Sequence, residues 1–362
     1  MTIPAILSHH DYIQFHRTVG HQNQVCQFIS GGRVSMRIEL DTVKAMLFGH
    51  AIGDALGVPV EFQTREELSQ NPVAEMRGFG SYDVPAGSWS DDTSMTLCLM
   101  ESLSRLSAVD YDDIMKNFVR WMDDAEFTPT GVMFDIGRAT MQALMKFVHG
   151  TEPLLCGGRS GYDNGNGSLM RISPMALYLY GKKEAMLSAE DMRLIHEVSM
   201  LTHAHARSQM ACGIYCLIAL RLLDGMALAD AIAKGLLCAK YFYEAQSGFQ
   251  REMETYGRLW DVDEFRTLPE TSIKSSGYVV DTLESVLWCL LNTTGYKECV
   301  LKAVNLGEDT DTVAAIAGGL AGLSYGWEAI PQEWKDGLLR SDLMDDLCRK
   351  FAEAMEGESP CR

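Results

Sequence analysis

Residues 88–97 read S-W-S-D-D-T-S-M-T-L, and residues 307–312 read G-E-D-T-D-T. Each run sets two aspartates and a threonine where an apolar helical pattern begins. One reading is capping: Ser90 or Asp91 accepts from an orphan N–H, and acidic residues suit the positive end of a helix. Capping needs only one such residue per helix, yet Asp91, Asp92, Asp309 and Asp311 make four carboxylates. If the two runs met in space, mutual repulsion would drive these groups toward protonation unless a cation lay among them. Donors made only of carboxylate, hydroxyl and water oxygens suit a hard cation such as Mg²⁺ or Mn²⁺ and not zinc. Two ions about 3.5–4 Å apart, bridged by Asp92 or Asp311, is the natural arrangement for so many acids. Residue types alone leave both readings open.

The elements that must position these residues are helical. DTVKAMLFGHAIGDAL, DDTSMTLCLMESLSRL, SQMACGIYCLIALRLLDG, DTLESVLWCLLNT and DTVAAIAGGLAGLSYG all carry apolar residues at i, i+3, i+4 and i+7. Sustained alternation is scarce, so strands should be few. Dense alanine and glycine over 314–322 predicts a helix that others approach closely. The stretch 241–276 reads as short helices and loops, and the tail after Met355 should fray. The expectation is a single all-α domain over 39–362, preceded by an extension over 1–38. That extension holds His9, His10, His16 and His21 and ends at a Ser30-Gly31-Gly32 hinge.

Composition narrows the function classes. With 362 residues, 47% of them hydrophobic, the chain can bury a substantial core. A formal charge of −18 argues against tracking a nucleic-acid backbone and suits metal ions or basic partners. The ten cysteines are scattered, with no C-x-x-C pair. Cys212 and Cys216, four apart on one helix face, read as core and not as half of a zinc site. Reducing cytoplasm is therefore the expected compartment. The N-terminus has no basic region followed by an apolar stretch, and no run of about 18 apolar residues predicts a membrane span.

Seven segments, in order, resemble the ADP-ribosylglycohydrolase family. They are Gly53–Phe62 (GDALGVPVEF), Trp89–Thr93 (WSDDT), Phe134–Gly137 (FDIG), Gly165–Arg171 (GNGSLMR), Leu201–His203 (LTH), Ser276–Glu284 (SGYVVDTLE) and Gly307–Thr312 (GEDTDT). The resemblance spans about 45–340 and is strongest to the dinitrogenase-reductase-activating members. It implies an all-helical fold with a binuclear Mg²⁺ or Mn²⁺ centre at helix N-termini. It also implies a metal shell of Ser90, Asp91, Asp92, Asp309, Asp311 and Thr312. The family often has threonine where Ser90 stands, and serine keeps the hydroxyl. Catalytic work falls by resemblance to Glu61, Asp92 and Asp311, with Glu61 taking a proton from water or a ribose hydroxyl.

On the substrate side, Asn164–Ser168 is a glycine loop before an apolar helix. Its backbone N–H groups suit a phosphate, although such turns are common. The resemblance makes Asn166, Gly167, Ser168 and Arg171 substrate contacts, with Arg171 aiding an anion or pairing with a carboxylate. A lone histidine on an apolar face is usually a core residue. The family places a substrate contact at the T-H step, which selects His203 and leaves His205 open. Asp135 would receive a leaving guanidinium, and Tyr278 would stack on adenine or pack in the core.

The implied activity is metal-dependent hydrolysis of ADP-ribose from protein side chains, arginine first among them, with serine or a free ADP-ribose derivative as other possibilities. Some family members act as immunity proteins, so the rival is a binding protein whose 1–38 arm occludes a cognate ADP-ribosyltransferase toxin. A helical two-metal phosphohydrolase is a third reading, but the histidine-rich ligand sets of that class are not evident.

Overall fold

Two helices rich in small residues set the architecture. The structure is a computed structural model and describes residues 38–182 and 187–356. Among these, twelve helices have nine residues or more. In chain order they are α1 (Leu40–Gly57), α2 (Asp91–Leu106), α3 (Tyr111–Asp124), α4 (Arg138–Val148), α5 (Ser173–Gly181) and α6 (Ala189–Met200). They continue with α7 (Ala206–Leu223), α8 (Leu228–Glu244), α9 (Val279–Leu291), α10 (Tyr296–Val304), α11 (Thr310–Tyr325) and α12 (Ser341–Met355). No strand occurs among the described residues, which hold only two isolated β-bridges, Gly158 with His203 and Gly165 with Tyr278. The expected all-α fold is thus observed, and 241–276 is indeed short helical turns and loops after α8 ends.

Helices α1 and α11 form the central pair. Both are buried on nearly every face, as helices apolar all round must be. They touch backbone to backbone through glycine. A Cβ on Gly49 would lie 2.5 Å from the Gly318 oxygen, one on Gly53 2.1 Å from the Ala314 oxygen, and one on Gly57 2.3 Å from the Asp311 Cα. A Cβ on Gly322 would lie 2.0 Å from the Ala45 oxygen. The paired positions run in opposite directions, so the helices are antiparallel. Ala and Gly over 314–322 do mark a close approach, and the matching row is Gly49, Gly53 and Gly57, spaced by four. The seam brings the C-terminal end of α1 against the N-terminal end of α11.

Around this pair α12 and α2 pack on α1, and α10, α9 and α7 pack on α11; α2 also packs on α3 and α12, and α7 on α6 and α8. Cys212 and Cys216 lie fully buried in α7, as core residues. Apart from Ile38, the 1–38 extension falls outside the described residues, as does the tail beyond Glu356.

Candidate metal centre and substrate cavity

The site begins with an aspartate that the sequence reading left without a role. Asp54, fully buried on the last turn of α1, accepts from the Ser90 N–H at 2.9 Å and the Thr93 N–H at 3.0 Å. It also accepts from the Thr93 hydroxyl at 2.6 Å. Asp54 thus satisfies orphan donors at the start of α2 from another helix and clamps α2 onto α1. Ser90 is the N-cap residue, its Oγ accepting from the Asp92 N–H at 3.3 Å. Asp309, the N-cap residue of α11, makes no side-chain cap bond. Its carboxylate instead accepts from Asn166 Nδ2 at 2.6 Å. Capping therefore leaves most of the carboxylates unused.

The two acidic runs meet. Thr312 Oγ1 donates to Asp92 Oδ2 at 3.1 Å, and the Ser90 hydroxyl donates to the same oxygen at 2.9 Å. Carboxylate oxygens of Asp54, Asp92 and Asp311 lie within 4.8 Å of one another, and so do those of Glu61, Asp135 and Asp311. Asp311 belongs to both groups. Asp92 Oδ1 and Glu61 Oε2 are buried and lack a hydrogen-bond partner among the described residues. Buried anionic oxygens left in this way are costly unless a cation takes them up. The donor set fits one or more hard divalent cations.

Electrostatics agree with this crowding. Burial first, then the carboxylates around them, pushes Asp91, Asp92 and Asp311 well above the usual carboxylate range. Glu61 is pushed up to about 8, by burial and then by Asp135, while Tyr82 pulls the other way. Asp54 rises to about 6 through burial, restrained by its bonds to Thr93 and Ser90.

Part of this acidic cluster lines a cavity of about 600 Å³. Glu61, Asp91, Asp135, Asp309 and Thr312 are the members that reach it. Gly165, Asn166, Gly167 and His203 also line it, with Gly137–Thr140 at the start of α4, and Asn166 is tied to Asp309 by the bond described above. Phe62, Tyr162 and Glu308 reach the rim, Phe62 being 71% and Tyr162 92% exposed. Phe62 and Glu308 both have positive φ (69° and 62°), and the Phe62 N–H donates to the Glu308 carbonyl at 2.7 Å.

Comparison with known proteins decides the family. The family model described as ADP-ribosylglycohydrolase matches residues 36–361. The chain belongs to the ADP-ribosylglycohydrolase family. It is 31% identical over 313 residues to "ADP-ribosylarginine hydrolase Tri1" of Serratia proteamaculans, covering 86% of this chain and 79% of that one. It is 30% identical to "ADP-ribosyl-[dinitrogen reductase] glycohydrolase" of Rhodospirillum rubrum, covering 81% of this chain and 89% of that one. A solved structure titled "ADP-ribosylglycohydrolase-related protein complex" superposes with a TM-score of 0.70 at 29% identity, covering 88% of this chain and 99% of the other.

In this ADP-ribosylglycohydrolase the residues singled out from sequence divide into two sets. Ser90, Asp91, Asp92, Asp309, Asp311, Thr312, Glu61 and Asp135 gather in one acidic cluster, of which Glu61, Asp91, Asp135, Asp309 and Thr312 line the cavity together with Asn166, Gly167 and His203. Ser168, Arg171 and Tyr278 do not line the cavity. Ser168 is fully buried, its Oγ 2.9 Å from the Ser199 hydroxyl. Arg171 is fully buried and bonds the Val198 carbonyl and Thr202, neither an anion nor a carboxylate. The Tyr278 hydroxyl accepts from Arg207 at 2.9 Å. Nor does the glycine loop run straight into a helix: turns follow it, and α5 starts at Ser173, where Pro174 sits in the first turn. His205, left open, is the N-cap residue of α7, its Nδ1 accepting from the Arg207 N–H at 3.2 Å.

Sequence reasoning missed Asp54, Thr140 and the rim residues Phe62, Tyr162 and Glu308. Asp54 lies inside GDALGVPVEF, where a charge on an otherwise apolar helix was the signal. Thr140 Oγ1 is buried without a partner among the described residues, at the cavity.

Proposed function

We propose that the protein is a divalent-metal-dependent hydrolase that removes ADP-ribose from arginine side chains of modified proteins. The observation that carries this reading is the pair of carboxylate groups sharing Asp311, of which Glu61 and Asp135 line a cavity of about 600 Å³. The names of its relatives from Serratia proteamaculans and Rhodospirillum rubrum support it. Ser90, Asp91, Asp92, Asp309, Asp311 and Thr312 would hold two Mg²⁺ or Mn²⁺ ions, and Asp54 would orient this shell through Ser90 and Thr93. When bound, the ions supply positive charge and Lewis acidity beside ribose and water oxygens.

The chain's own groups then divide the work of hydrolysis. Glu61 takes a proton from the attacking water at its unpartnered Oε2 as the water oxygen bonds to the anomeric carbon. The carbon–nitrogen bond breaks, its electron pair goes to the guanidine nitrogen, and a proton returns there from solvent or from Asp135. Asp135, on the same wall, faces the departing cation. Asn166, bonded to Asp309, and Gly167 hold the substrate beside this cluster.

The division into an extension over 1–38 and a hydrolase domain over 39–362 belongs to the same proposal, and the family match beginning at residue 36 supports it. So does a reducing, cytoplasmic setting: no disulfide joins the eight described cysteines. Among the described residues no helix is long and apolar enough to cross a membrane.

The test is release of ADP-ribose from ADP-ribosyl-arginine protein with Mg²⁺ or Mn²⁺. Wild type should release it only with the metal, and Asp92→Ala or Asp311→Ala should lose at least about a thousandfold in rate, since each removes a group acting with the others as a unit. Metal-independent release, or near-wild-type rates in both variants, overturns the reading.

A further inference from the structure

Arg171 is a buried cation whose partners are a carbonyl and a hydroxyl. Its Nη1 and Nη2 each lie 3.3 Å from the Val198 oxygen, and Nη2 donates to Thr202 Oγ1 at 2.6 Å. Its guanidinium sits over the Phe118 ring, 4.9 Å from the centroid. Thr202 Oγ1 in turn is 2.8 Å from His203 Nδ1. The other edge of that imidazole faces the glycine loop at the cavity. A Cβ on Gly165 would lie 3.6 Å from His203 Nε2, and one on Gly167 only 2.8 Å from Cε1.

The chemistry of the three groups orders their protons. A guanidinium only donates. A threonine hydroxyl has one hydrogen and two lone pairs. Arg171 takes one lone pair, and if Nδ1–H took the other, the buried hydroxyl hydrogen would have no acceptor among the described residues, so that hydrogen goes to Nδ1. Nδ1 must then accept, so a neutral ring carries its proton on Nε2. We propose that Arg171 and Thr202 are positioning residues that hold His203 as its Nε2–H tautomer, a neutral donor aimed at an oxygen of the bound ADP-ribosyl group. The proposal rests on the functional reading above for the identity of that ligand. It explains why arginine follows the glycine loop although it does not reach the cavity, and why threonine precedes the histidine. A second proton on the ring is opposed as well: burial, and then the Arg171 charge, pulls His203 down to about 3, with Asp163 acting in the opposite direction.

Two measurements test it on the full-length protein with Mg²⁺. First, long-range ¹H–¹⁵N spectra of histidine-labelled wild type, with His203 assigned from its loss in His203→Gln, should show a pyrrole-like Nε2 and a pyridine-like Nδ1. Protonated Nδ1, or a doubly protonated ring at neutral pH, overturns the proposal without any need for a Thr202 variant to fold. Second, Thr202→Val, which removes only the hydroxyl, should mix the tautomers and raise KM roughly tenfold, the worth of one hydrogen bond, with kcat much less affected. Thr202→Ser should restore both the spectrum and KM. If Thr202→Val keeps the Nε2–H tautomer and the wild-type KM, or if Thr202→Ser behaves like the valine variant, the relay is wrong. Should wild type cleave no ADP-ribosylated substrate, the functional reading fails, while the wild-type spectrum still decides the tautomer.

Discussion

The two walls of the cavity solve opposite electrostatic problems. On one, Glu61, Asp91, Asp135 and Asp309, with Asp92 and Asp311 behind the lining, crowd negative charge into buried space, and oxygens of Glu61 and Asp92 have no partner among the described residues. On the other, Gly165 and Gly167 pack against His203, whose ring is tied through Thr202 to the buried cation Arg171. On the histidine side the unpartnered atoms among the described residues are the neutral Thr140 hydroxyl and the donor-only Arg171 Nε, and no carboxylate oxygen is left bare. The acidic wall is complete only with a ligand that supplies positive charge. A site of this kind carries its ligand's charge requirement in what it leaves unsatisfied, and that is where the difference between the walls is instructive.

The comparison can be broken most severely at Glu61. Glu61→Gln keeps the shape but cannot take a proton, and kcat should fall by about 10²–10⁴ in the arginine-hydrolase assay. A loss of less than about tenfold would move the proton-accepting role to another carboxylate of the wall.

A second prediction concerns stability. Asp54 and Glu61 have folded-state pKa values raised to about 6 and about 8, above their ordinary 3.8 and 4.5. Their stabilising contribution is therefore fully present below the ordinary values and is lost as pH rises through the raised ones. Metal-free protein should lose thermal stability between about pH 4 and about pH 8 on this account. Added Mg²⁺ or Mn²⁺ should raise Tm by several degrees more at the upper end of that window than at the lower. Scanning calorimetry with and without metal checks this, and an equal metal effect at both ends would contradict it.

The smallest expected effect lies on the histidine wall. Gly167→Ala puts a Cβ 2.8 Å from His203 Cε1, so the ring or the loop must shift. KM should rise several-fold while Tm and metal affinity stay near wild type. A change in metal affinity instead would show that the two sides are coupled through the bond from Asn166 to Asp309.

Much of the candidate site was legible in the sequence because its residue types are odd where they stand. Paired aspartates at the start of apolar helices, a glutamate after G-x-P-x, and a histidine after threonine each conflict with the bland role of their position. Asp54 was harder to read, because a single acid inside an apolar helix has no local partner to reveal it; its partners, Ser90 and Thr93, lie more than 30 residues away. Ser168, Arg171 and Tyr278 were assigned to the substrate from their place in matching segments. Which way a side chain points from a turn depends on what packs behind it, here Ser199, Thr202 and Arg207.

By itself the sequence determined the helical periodicity and the oxygen-only donor chemistry of the acidic runs, since these follow from side-chain chemistry and local spacing. Only the tertiary structure decided that the runs meet, which carboxylates share Asp311, and that Arg171 is buried against Val198 and Thr202 without lining the cavity. The reason is the seam of Gly49, Gly53 and Gly57 against α11: two backbones in contact bring residues 54 and 61 beside 309 and 311, and no local rule links positions that far apart in the chain.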